Sequence, residues 1–228
     1  MKMHTVLLFS VSVILSACGG GGSTAVSVST FNVKQAFENF IKTSDTKNVS
    51  FSGTSSGLKL TGTGRATLGG LVPSTFQGVN ALLKTSVNTG TLTDGKVNIP
   101  LSTTSLTYWD NGYNFLGRSG SDFGVVTKFV PLPTAAKIND TGSFYTITNY
   151  PSSAKSYIKD TTTVSFSLAA DSEISAIVTL IKETRDTSGK SVSTEIEMYR
   201  VTTSGVLTII SETGFQSTPP VGMTITYQ

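Results

Sequence analysis

Two carboxylates placed two residues apart, Glu195 and Glu197, have the spacing in this chain that best suits chemistry. On a strand both would point to one face about 7 Å apart, near the separation of the acid and its partner in glycosidases. A pair drawn from one strand seldom straddles a substrate bond, however. Lys182 and Arg200 nearby favour a solvated strand face, where charge also discourages sheet-to-sheet association. A second group is aromatic, with Tyr108, Trp109, Tyr113 and Phe115 flanking Asp110-Asn111-Gly112. Exposed on a hairpin, Tyr108, Trp109 and Tyr113 would form a candidate binding surface for a glycan or an envelope protein. Paired across strands, the same rings would simply stabilise the hairpin.

Most other chemistries lack their residues. The chain holds one histidine, His4, and one cysteine, Cys18. Beyond residue 18 there is no material for a Ser-His-Asp triad, a Cys-His pair, or a zinc site with imidazole or thiolate ligands. Gly117-Arg118-Ser119-Gly120 lacks the spacing of a phosphate-binding loop, and no Asp-rich calcium loop occurs. The expectation is a non-enzymatic protein with no cofactor and no metal. Seventeen basic residues against fourteen acidic ones leave a net charge of +3, evenly spread, so nucleic acid is not an expected partner.

The amino terminus carries the clearest pattern. A short basic start precedes an apolar run, Thr5–Leu15, too short for a helix that must cross about 30 Å of hydrocarbon. Leu15-Ser16-Ala17-Cys18 follows directly, and then Gly19 to Gly22 and Ser23. This resembles the lipobox of bacterial lipoproteins. The resemblance implies cleavage after Ala17, a diacylglyceryl thioether on Cys18 and acylation, commonly palmitoyl, of the new amino group. The Gly-rich stretch reads as a flexible tether. Gly19, where Asp would retain a lipoprotein in the inner membrane, implies an outer-membrane destination in a Gram-negative host. The membrane, through lipid on Cys18, is then a partner. The divisions are 1–17 signal peptide, 18–29 tether, and 30–228 a single β-rich domain, with a sub-boundary conceivable near 131–140.

These residues need elements to position them. Val33, Ala36, Phe37, Phe40 and Ile41 recur at helical spacing, with Asn32 as cap and Gln35 as its capping-box partner. After Val49 the period becomes two, punctuated by Asp94-Gly95, Asn111-Gly112, Asp186–Gly189 and Thr203–Gly205, which mark hairpins. Ser172–Lys182 reads as strand, Ser74–Lys84 as either helix or hairpin, and Phe129–Asp140, with Pro131 and Pro133, as an extended connection. The fold expected is mainly β, an antiparallel meander forming an open or curled sheet or half-barrel, with one N-terminal amphipathic helix. Serine and threonine stand where a membrane barrel would show a lipid-facing apolar row. Three functions remain open: a binding or scaffolding lipoprotein of the bacterial envelope, a lipid carrier with an apolar cavity, and a carboxylate-dependent glycan-active enzyme.

Overall fold

A computed structural model describes residues 29–217 and 220–228. Cys18, the stretch expected to be a signal peptide and the expected tether through residue 28 lie outside the described residues. One helix, α1 (Val33–Lys42), precedes thirteen strands. These are β1 (Asp45–Ser55), β2 (Leu58–Leu68), β3 (Val72–Phe76), β4 (Val79–Thr93), β5 (Asn98–Trp109), β6 (Phe115–Ser119) and β7 (Phe123–Phe129). They continue as β8 (Thr141–Tyr150), β9 (Asp160–Ala170), β10 (Ser175–Asp186), β11 (Ser191–Thr202), β12 (Leu207–Ser217) and β13 (Pro220–Tyr227).

Every ladder is antiparallel, and the sheet closes on itself. Neighbouring strands pair in sequence order from β4 to β13, β13 pairs with β1, and β1 with β2. The last seam joins Thr61–Leu68 of β2 to Ser86–Thr93 of β4. The result is a barrel of 12 strands with β3 outside the ring. The expected open or half-closed sheet is therefore corrected to a closed one. Closure removes the two unpaired edges that an open sheet would expose. At the seam Gly64 faces Gly90, and the Phe51 ring lies over both. A Cβ on either glycine would fall within 2.8 Å of that ring, so the bare backbone is what lets Phe51 cover the seam.

Residues 74–84, open between helix and hairpin, form a hairpin. β3 prolongs β2 along β4, and Gln77-Gly78, both at positive φ, make its turn. Its tip reaches the outer wall, where Phe76 stacks between Tyr108 and Phe123 with centroids 4.6 and 5.3 Å away. Gly117 sits under Phe76, and a Cβ there would fall 2.5 Å from the ring.

The helix begins at Asn32, whose Oδ1 accepts a hydrogen bond from the Gln35 backbone N–H. The reciprocal half of a capping box is absent. Gln35 donates its side-chain amide to Asn39 one turn on. The apolar stripe does not lie against one sheet face but enters the end of the barrel. Phe37 meets Trp109 on β5 at 6.1 Å, Phe144 on β8 at 5.5 Å and Tyr199 on β11 at 6.3 Å, so the helix touches walls that face each other. The extended connection after β7 passes beside it, with Phe31 and Ala136 exchanging backbone hydrogen bonds and both fully buried. Helix and connection together form a floor.

Outward positions on β1 and β2 are polar throughout: Thr46, Asn48, Ser50, Ser52 and Thr54 beside Thr67, Arg65, Thr63, Thr61 and Lys59. A wall facing lipid needs an apolar band at these places, so this side suits water. No helix among the described residues is long and apolar enough to cross a membrane.

Candidate functional site: the charged lumen of the barrel

Alternation along β9 to β12 sends every second side chain inward, and the inward sets change character with depth. Asp160 stands nearest the mouth; one step in, Thr162, Thr184, Ser193 and Gln216 share a level, and deeper come Val164, Lys182 and Glu195. The next level holds Phe166, Leu180, Glu197 and Glu212, and the floor Leu168, Val178, Tyr199 and Ile209. A polar mouth thus leads through a charged middle to an apolar floor.

The lumen is not packed shut. A mouth of about 500 Å³ is bordered by Arg118, Asp160, Lys190 and the Lys159–Asp122 ion pair. Arg118 is shared with a chamber of about 320 Å³, lined also by Ser105, Tyr145, Glu195 and Tyr227. A further space of about 150 Å³ adjoins it above the helix, against Trp109, Phe40 and Ile209. Lys182, Glu197, Glu212, Phe115 and Tyr145 border both.

Lys182 Nζ donates to Glu195 Oε1 and Glu197 Oε1, each at 2.5 Å. Burial works against its charge, yet the two carboxylates hold it well above the ordinary lysine range. The Lys182 ammonium in turn holds Glu195 below the usual carboxylate range. Glu197 goes the other way, pushed up chiefly by burial and further by the Glu195 charge. Glu212 stands directly opposite Glu197 across the β11–β12 ladder and accepts from Tyr227 Oη at 2.8 Å. Burial, with Glu197 beside it, pushes Glu212 up to about 7. Tyr199 donates to Glu197 at 3.1 Å, and burial raises both Tyr199 and Tyr145, the latter to about 12.

Two cations fasten the walls. Lys84, buried on β4, donates to the carbonyls of Ile41, Thr43 and Gly69 at 2.9, 2.6 and 3.0 Å, so an ammonium caps the carboxyl end of α1. Burial lowers its pKa. Arg118 Nη2 donates to Asn149, which donates onward to Asp160 and Thr162, while the buried Arg118 Nε has no partner among the described residues. No three carboxylates, histidines or cysteines among the described residues converge closely enough to hold a metal ion.

The expected sites are redistributed by this geometry. Glu195 and Glu197 do share one face, but it is the lumen and not a solvated outer surface. Arg200, with opposite parity, is outside and pairs with Asp171. The parity signal was present in Tyr199 and Val201, both buried on the carboxylates' side, but outward Ile196 and Met198 obscured it. The aromatic trio is not one surface. Trp109 is 7% exposed and packs inward on Phe115 at 4.9 Å, whereas Tyr108 faces out beneath Phe76. Tyr113, at φ +60°, lies in a loop organised by the Asp110 carboxylate, which accepts from the Gly112 and Asn114 backbones. Its ring sits under Lys42 Nζ at 4.2 Å. The Trp109–Phe115 contact is the cross-strand pairing that the alternative reading described. Glu212, Tyr227, Lys84 and Arg118 carried no signal of their own, because each is placed by a strand pairing distant in sequence.

Glu212 predicts a measurable pH effect. A carboxyl raised from the usual 4.5 to about 7 lends stability at acid pH that is lost as pH climbs through that window. Glu212→Gln, which has no charge to bury, should match the wild type near pH 4.5 and exceed it above pH 7. The gain should reach up to about 3 kcal/mol, read by urea unfolding at several pH values. A difference that does not change with pH would refute the assignment.

No protein-family model, curated protein or solved structure matches this chain. Fold and site alone therefore define its class: a closed antiparallel barrel of 12 strands, floored by an internal helix, with a charged and aromatic lumen open at one end.

Proposed function

We propose that the chain is a lipid-anchored protein of the bacterial envelope whose barrel binds a small polar molecule in its lumen without transforming it. The observation that carries this reading is the chamber of about 320 Å³ behind an open mouth, walled by aromatic rings and a few convergent charged groups. A scaffold that needed only stability would gain by filling that space with side chains. Lys182, Glu195, Glu197 and Glu212 also distinguish the lumen from the apolar cavity a lipid carrier would present, since an apolar guest would strip water from those charges. The Lys182 ammonium occupies the gap between Glu195 and Glu197, where a hydrolase would hold the bond it cleaves. That favours binding over glycan cleavage.

The anchor rests on Leu15-Ser16-Ala17-Cys18 and the glycine tether. Two or three acyl chains at about 0.8 kcal/mol per buried CH₂ would hold the protein on a membrane, most simply the outer one. A Cys18→Ser precursor should incorporate no labelled fatty acid and keep residues 1–17, as followed by gel mobility and membrane sedimentation. Labelling of that variant would end the lipoprotein reading.

For the lumen, Trp109 is the one tryptophan and borders the inner space, so its emission reports occupancy. A panel of small amines, alcohols and carboxylates should contain members that change the emission saturably in the wild type and not in Ser105→Phe, which fills the chamber. If no compound of any charge does so, luminal binding is wrong.

A further inference from the structure

We propose that the luminal ligand is a small organic cation, an amine with an apolar or aromatic body, held by Glu212 against the wall of Trp109, Phe115 and Tyr145. This deepens the luminal-binding reading and rests on it. Three carboxylates border the connected chambers, and among the described residues no lysine or arginine forms an ion pair with Glu212. Lys182 spends its ammonium on Glu195 and Glu197. Lys84 is turned to the carbonyls that end the helix, and Arg118 donates through Nη2 to Asn149 rather than to Glu212. Glu212 is left with the Tyr227 hydroxyl.

The groups facing Glu212 define what can join it. Glu197 is opposite on β11 with Glu195 one step nearer the mouth, Lys182 lies on β10, and Tyr199 and Tyr227 complete the polar ring. An anion arriving there would meet the carboxylates of Glu197, Glu195 and Glu212, against the Lys182 ammonium already shared and the Arg118 guanidinium, which lines the larger chamber but not the inner space beside Trp109. A neutral guest would offer nothing to the ionised form of Glu212. A cation supplies it, and its apolar part can lie on Phe115, Tyr145 and Trp109, whose ring faces also attract positive charge. A bare divalent metal fits less well, because the carboxylates do not converge on one point.

The test uses the purified full-length chain in non-ionic detergent and three ligands of one shape: benzylamine, benzyl alcohol and benzoate. Benzylamine should bind in a wild-type protein and at least tenfold more weakly in Glu212→Gln. That variant is expected to be the more stable protein above pH 7, so loss of folding will not mimic loss of binding; a melting curve verifies this. Benzylamine stays cationic below pH 8, so its affinity should fall about tenfold per unit as pH drops from 7 to 5 and Glu212 takes up a proton. Benzyl alcohol should show neither effect. Absence of benzylamine binding, or equal affinity in Glu212→Gln, overturns the cation. Benzyl alcohol or benzoate binding as tightly as benzylamine overturns it too. In those cases binding of benzyl alcohol or benzoate that Ser105→Phe abolishes would leave the luminal reading standing.

Discussion

Lys182→Met should cost the barrel about 3 kcal/mol at neutral pH, because it strands two inward carboxylates on adjacent register positions without a cation. Methionine nearly matches the lysine stem in length, so packing changes little and the loss reports the charge. The chamber admits water, and the Glu195 carboxylate is 44% exposed, which places the effect at the low end for a broken internal pair. The sign with pH follows from Glu195. Its depressed pKa gives stability that is present above 4.5 and lost as pH falls through its folded value, so the penalty of losing Lys182 should shrink in acid. Adding Glu195→Gln and Glu197→Gln to the variant should restore most of the loss. Urea midpoints of the full chain read all three proteins, and a deficit under about 1 kcal/mol at pH 7 would show that the pair is electrostatically idle.

Phe37→Ala should be comparably damaging, at about 3 kcal/mol. The ring is the contact through which one helix touches three separated strands, edge-on to Phe144 at 89° and to Tyr199 at 73° and tilted against Trp109. Truncation would join the space above the helix to a new void and loosen the floor. Hydrogen exchange should rise first in α1, ahead of the distant β1–β2 hairpin. Uniform exchange across both would mean that the helix is not an independent plug. The Lys84 bonds to Ile41 and Thr43 should keep the end of the helix attached, so loosening should begin at its first turns.

How much of this was legible beforehand differs between kinds of feature. The helix over 33–42, its Asn32 cap, the turns at Gly189 and Gly205, and the strand read over 172–182, which runs Ser175–Asp186, follow from local periodicity and turn chemistry, which act over a few residues. The hairpin at Asp94-Gly95 has its two strands, but its loop is four residues long, 94–97, with the Asp94 carboxylate accepting from the Lys96 and Val97 backbones. The hairpin at Asn111-Gly112 was only half legible. Its strands are present, but the Asp110 carboxylate gathers a five-residue loop that a two-residue turn does not describe.

Amino-acid types and order determined that the chain is an antiparallel β protein, that catalysis by histidine or free thiol has no residues beyond Cys18, and that Leu15-Ser16-Ala17-Cys18 precedes the body. The tertiary structure decided that the sheet closes, that the helix enters it, and that Glu195 and Glu197 turn inward. The reason lies in distance along the chain. Closure depends on pairing Val49–Ser55 with Val221–Tyr227 and on the Gly64–Gly90 seam; Val49 and Phe51, like Met223 and Ile225, alternate within their own strands, but local alternation does not say which distant strand each will pair with. In a strand such as β11, with apolar residues on both faces, which face is inside is settled by its neighbours. Once the ring closes, that choice converts two apparently solvated carboxylates into the walls of a chamber.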